Sequence, residues 1–122
     1  MILEFDPDNK VILTRLGDAY RNIGNFDEAV KNYKKAINIA YDEFAVFGLA
    51  LIENQEGRYE DAIQNFTSLL DLKFKNYNLY TELADAYIKT NQKNLALEIL
   101  ERAQKEGFKS ADINAMLTRI KQ

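Results

Sequence analysis

Three stretches of this chain repeat one another without gaps: LTRLGDAYRNIGNFDEAVKNYKKAI from Leu13, VFGLALIENQEGRYEDAIQNFTSLL from Val46 and YTELADAYIKTNQKNLALEILERAQ from Tyr80. Self-similarity constrains the fold more than composition does, because a short repeating unit buries its apolar face only by stacking on its neighbours. Leu13, Leu16, Gly17 and Tyr20 recur as Val46, Leu49, Ala50 and Glu53, then as Tyr80, Leu83, Ala84 and Tyr87. Their three- and four-residue spacing marks one face of a helix. After breaks at 22–25, 55–57 and 90–92 a second face follows: Ala29, Tyr33, Ala36; Ala62, Phe66, Leu69; Ala96, Leu100, Ala103. Small residues let two helix axes approach, and the larger residue four places on fills the space beside the crossing.

The breaks carry turn chemistry. Asn25 is a candidate N-cap, with Glu28 placed to reach back in a capping box. Gly24 and Gly57 end helices where a positive φ is needed. Asp42, Asn76 and Ser110 are candidate caps for the helices that follow them. The pattern predicts seven helices, at about 8–22, 26–39, 43–55, 59–72, 77–90, 93–106 and 110–121.

Leu16-Gly17-Asp18-Ala19-Tyr20, Gly24-Asn25-Phe26 and the span from Ala29 to Tyr33 make the chain resemble the tetratricopeptide repeat family. That family's helix–turn–helix unit recurs about every 34 residues with a W-x2-L-G-x2-Y, A-x3-F, P pattern. The resemblance implies an all-α, right-handed α-solenoid with units at 10–42, 43–76 and 77–110 and a capping helix at 111–122. In the same register the segment at 1–9, with the lone proline Pro7, reads as the tail of a preceding, truncated repeat cut from a longer array. Tyr41, Phe74 and Phe108 stand where the family often closes with proline, and the first unit is one residue short, which implies a tight turn near Tyr41. Glu53 occupies a place held by tyrosine in the other two units. An acid there must reach solvent, pair with a group such as Arg58 or Arg21, or destabilise the fold.

Composition narrows the chemistry. The 122 residues include no cysteine and no histidine, which removes thiolate nucleophiles, imidazole bases and the usual zinc or copper ligands. A net charge of −3, with lysines scattered among acids, speaks against nucleic acid as a partner. No apolar run approaches the ~20 residues that span a bilayer, so we expect no membrane insertion and a cytoplasmic location. The adjacent acids Asp27–Glu28 and Glu60–Asp61 lie in first turns of helices, where the helix dipole accounts for them without catalysis. The expectation is a chain that is not an enzyme and needs no cofactor.

Function is then expected in the groove that the resemblance implies along the first helices of the units. Residues facing away from the buried face there are Thr14, Asp18 and Arg21; Phe44, Phe47, Leu51 and Asn54; and Asn78, Thr81, Asp85 and Ile88. Val11, Arg15, Asn22, Gln55, Glu82 and Lys89 flank them. Phe44, Phe47 and Leu51 would form an apolar anchor for a partner peptide or helix, although FAVFGLALI also reads as a helix buried all round. A chaperone-binding subclass of the family grips a C-terminal carboxylate with lysine, asparagine and arginine, and the matching places here hold Thr14, Asp18, Gly48, Asn78 and Glu82. That clamp is missing, and Asp18, Glu82 and Asp85 favour a basic or neutral segment instead. The expected role is a protein-binding scaffold; self-association and service as an accessory domain of a larger protein or secretion-type complex are the alternatives.

Overall fold

A computed structural model of the chain describes residues 9–121. The expected repeat tail at 1–9 therefore falls, apart from Asn9, outside the described residues. The described residues form α1 (Lys10–Asn22), α2 (Phe26–Ile39), α3 (Glu43–Gln55), α4 (Tyr59–Asp71), α5 (Tyr77–Lys89), α6 (Lys93–Lys105) and α7 (Ala111–Lys121), with no strand among them.

The caps explain most of the boundaries. Asn9 accepts from the amides of Val11 and Ile12, so α1 starts at Lys10. Asp42 accepts from Phe44 and Ala45, Asn76 from Asn78, and the Ser110 hydroxyl from Ile113. Asn25 caps α2 by accepting from the Glu28 amide at 3.3 Å, without a return bond from the Glu28 side chain. Gly24 and Gly57 leave the first helices of their units at φ 82° and 84°, which a Cβ disfavours.

Packing follows chain order. Each of α1, α3 and α5 packs most heavily on the helix after it, and α2 on α3 and α4 on α5 join the hairpins into a solenoid. Ala29, Ala36, Ala62, Ala84, Ala96 and Ala103 have no exposed surface, so helix axes close on the small residues that the repeat pattern supplies. Phe66, Leu69, Leu79, Leu83, Leu100 and Ile113 fill the space between hairpins, each stabilising the fold by about 1.5–3 kcal/mol. On α7, Ile113 and Leu117 are buried in the core and Met116 and Ile120 pack against it.

The aromatic residues at the proline places behave differently from one another. Phe74 is buried against Phe47, ring centroids 5.6 Å apart, and Phe108 lies 5.3 Å from Tyr80. Ring packing thus closes the second and third units where a proline would have stiffened the backbone. Tyr41 is exposed. In its place Asp42 does the joining: its Oδ2 accepts from Thr14 Oγ1 at 2.8 Å, and both side chains are buried. Thr14, expected in the groove, is therefore an internal strut between α1 and the start of α3.

Glu53 does not reach solvent and does not pair with arginine. It is buried and accepts from Asn65 Nδ2 at 2.7 Å, while Arg58 turns to Glu56. Burial raises the Glu53 carboxyl above its ordinary range, although the bond from Asn65 opposes the rise.

Candidate functional site

Helices α1, α3 and α5 share one face of the solenoid, and α3 touches both of its neighbours there. The residues facing outward from these helices decide what the face can bind.

Tyr33 reaches this face from α2. Its ring lies against Gly17 of α1 and Gly48 of α3: a Cβ on Gly17 would come within 2.5 Å of Tyr33 Cε1, and one on Gly48 would overlap the ring and hydroxyl. Two glycines leave a slot that the phenol fills. Its hydroxyl donates to Asp18 Oδ1 at 2.5 Å and accepts from Arg21 Nε at 3.1 Å. Burial pushes the phenol well above its ordinary range, and donation to Asp18 adds to the rise, so it stays protonated. Asp18 and Arg21, 3.6 Å apart, are thus oriented from below by a residue that the repeat pattern assigns only to the core.

A cleft of about 480 Å³ opens beside them, lined by Arg21, Leu51, Asn54, Gln55, Asn78, Glu82, Asp85 and Lys89. Asn54 forms its wall and is only 4% exposed. Its Nδ2 donates to Glu82 Oε2 at 2.8 Å and lies 3.3 Å from Asp85 Oδ2, so one amide draws two α5 carboxylates together. Its Oδ1 is buried and has no hydrogen-bond partner among the described residues. Lys89 bridges to Asp85 at 3.1 Å and lies over the Tyr59 ring, whereas Glu82 has no ion-pair partner among the described residues. The cleft therefore offers more acceptors than free donors.

Of the residues expected in the groove, the cleft gathers Arg21, Leu51, Asn54, Asn78 and Asp85, with Asp18 at its rim through Arg21. Phe47 is half-buried between Phe66 and Phe74, at 6.0 and 5.6 Å. Phe44, by contrast, is 65% exposed and stands edge-on to Phe74 at 5.5 Å. Thr81 is half-buried and bonds back to the Asn78 carbonyl, and Ile88 packs on the core. Thr14 is removed from the site by its bond to Asp42. The contribution of Tyr33 was hidden in the sequence; the signal that could have revealed it is Gly48, a glycine without a turn to make.

Among the described residues there is no group of histidine, cysteine, aspartate or glutamate arranged to hold a metal, and no helix long and apolar enough to cross a membrane.

Family models described as tetratricopeptide repeat match residues 54–120 and 11–40. A curated relative, Superkiller protein 3 of Schizosaccharomyces pombe, is 26% identical over 112 residues, covering 91% of this chain and 8% of its own length. The chain thus spans under a tenth of that protein. Among solved structures, YrrB, described as a TPR protein with an unusual peptide-binding site, superposes with a TM-score of 0.84 at 18% identity, covering 94% of this chain and 60% of its own. The second TPR domain of human RPAP3, solved with the HSP70 peptide SGPTIEEVD, gives 0.83 at 17% identity, covering 96% of this chain and 99% of its own. At such identities the superpositions speak to the fold alone.

Proposed function

The chain belongs to the tetratricopeptide repeat family, and on that premise we propose that it is a non-enzymatic module holding a peptide or helix of a partner protein in the cleft along α1, α3 and α5. The observation that carries this reading is Asn54: a buried amide with an unused oxygen, set in the wall of an open cleft and holding Glu82 and Asp85 together. A buried acceptor without a partner destabilises the free protein, and a ligand that supplies a donor after a small turn of the side chain removes that cost. Leu51 gives an apolar contact at the same place, with Phe47 behind it.

Charge narrows the partner. Arg21 and Lys89 are already engaged, by Tyr33 and Asp18 and by Asp85, which leaves Glu82 as the open charge of the cleft. A segment with a lysine or arginine beside an apolar side chain suits it, and a C-terminal carboxylate does not. That two solved structures of the same fold are described with a peptide-binding site or a bound peptide supports the general role without identifying a partner.

The test is a random peptide library selected on the unaltered chain. Selected peptides should be rich in basic and apolar residues, and should bind at least about tenfold more weakly to a Leu51→Asp, Glu82→Lys variant whose thermal unfolding shows it folded. Equal binding by that variant overturns the assignment to the cleft.

A further inference from the structure

Between the ends of α4 and α6, at the link that leads into α5, lies a second cavity of about 370 Å³ whose chemistry is the reverse of the cleft's. Phe74, Tyr80 and Phe108 line it with aromatic surface, while Lys73, Lys75 and Arg102 supply cations. One internal acid, Glu106, sits among them, taking a hydrogen bond from the Tyr80 hydroxyl and pairing with Arg102 Nε at 3.2 Å. The Tyr80 bond, with Arg102 beside it, holds Glu106 below the usual carboxylate range; burial and donation to Glu106 push the Tyr80 phenol up to about 12. The cavity thus already receives one carboxylate and has cations left over, since neither Lys73 nor Lys75 has an ion-pair partner among the described residues.

The neighbouring hairpins make the comparison that gives these charges meaning. Between α2 and α4 the same construction produces a cavity lined by Ile37, Tyr41, Val46 and Ser68, with Lys34 as its one cation. Ser68 stands in the repeat where Arg102 stands, and the link before α3 has Ala40 where the link before α5 has Lys73. The cationic rim belongs to one cavity and is not a by-product of the repeat.

We infer that this cavity is a second protein-binding site, distinct from the α1–α3–α5 cleft, and that it takes an acidic segment in which a glutamate or aspartate neighbours a leucine or an aromatic residue. The carboxylate lies between Lys73, Lys75 and Arg102, and the apolar side chain rests on Phe74 and Phe108. Glu106 is the internal competitor for the same cations. Because the pairing surface is partly open to water, affinity falls as salt rises.

A fluorescein-labelled, C-terminally amidated peptide of glutamates interspersed with leucine and phenylalanine tests this by anisotropy, alongside backbone amide shift mapping. We expect saturable binding, shifts centred on Lys73 to Lys75 and Phe108, and loss of about tenfold in affinity in Lys73→Glu, Lys75→Glu. Glu106→Gln should tighten binding about threefold by releasing Arg102. A peptide with lysine for glutamate should leave the amides of Lys73 to Lys75 and Phe108 unshifted. Shifts confined to Glu82 and Asp85, or affinity unchanged by the double charge reversal in a folded variant, overturns the proposal. Affinity unchanged by the double charge reversal leaves the cleft reading untouched, since that reading's own test uses basic peptides; shifts confined to Glu82 and Asp85 would also contradict the basic ligand proposed for the cleft.

Discussion

The Tyr33 ring rests against the Cα of Gly48, and no side chain larger than hydrogen fits between them. Gly48 is in the interior of α3, where glycine is less favourable than alanine by about 1 kcal/mol. Gly48→Ala should nevertheless destabilise the protein, because the fully buried ring, fixed by Asp18 and Arg21, has little room to retreat and overpacking costs about 1–3 kcal/mol. Chemical denaturation checks the sign. In a Tyr33→Leu background, which empties the slot, the same substitution should be neutral or stabilising; a cost that persists there would mean the ring is not the obstacle.

The buried acid at Glu53 makes a prediction about pH. Its folded-state pKa is raised, chiefly by burial, so the stability linked to this group is fully present below the ordinary glutamate value of about 4.3 and is lost as pH climbs through the folded value. Glu53→Gln keeps an acceptor for Asn65 and has no charge to bury. It should raise stability by roughly 1 kcal/mol at pH 7 and gain nothing at pH 4. Asn65→Ala should act in the opposite sense, costing about 1–3 kcal/mol at pH 7 and less at pH 4, since it leaves the carboxylate without its donor. Unfolding curves at both pH values decide it; a pH-independent effect of Glu53→Gln would contradict the buried placement.

The junction between the first two hairpins depends on Asp42, which caps α3 with one oxygen and accepts from Thr14 with the other. Asp42→Ala should cost about 2 kcal/mol, combining a lost cap with a stranded buried hydroxyl. A double-mutant cycle with Thr14→Val should show coupling, because both substitutions break the same bond. Additive effects would place Thr14 back among the surface residues.

Those cases show where the sequence was legible and where it was not. The α-solenoid and its helix ends could be read because each rests on local rules: period 3.6 on Leu13 to Tyr20, caps at Asp42 and Asn76, positive-φ glycines at 24 and 57. The lining of the candidate cleft was legible only in part. Arg21, Leu51, Asn54, Asn78 and Asp85 do meet at one cleft, since their spacing along α1, α3 and α5 puts them on one face. Thr14 was misplaced because a short link swung Asp42 over it, and Glu53 because its partner Asn65 sits one helix away. Both depend on contacts between distant residues, which periodicity does not encode. Phe44 and Phe47 look alike in the sequence, yet Phe44 is exposed and Phe47 is wedged between two rings.

The amide of Asn54 offers the sharpest probe of the cleft in the absence of any ligand. Its Nδ2 bridges Glu82 and Asp85, and its oxygen is unpaired. Asn54→Ala removes the bridge, and the two partly exposed carboxylates can turn toward water, so the loss should be about 1 kcal/mol. Asn54→Asp keeps the volume but sets a third carboxylate against two others, and should cost more than the alanine variant by about 1 kcal/mol or above. The excess is electrostatic in origin, so it should shrink as salt is added. Denaturation of both variants in low and high salt separates the terms. If the aspartate variant is no less stable than the alanine one, Glu82 and Asp85 are not held together by Asn54, and the acceptor-rich wall of the cleft loses its physical basis.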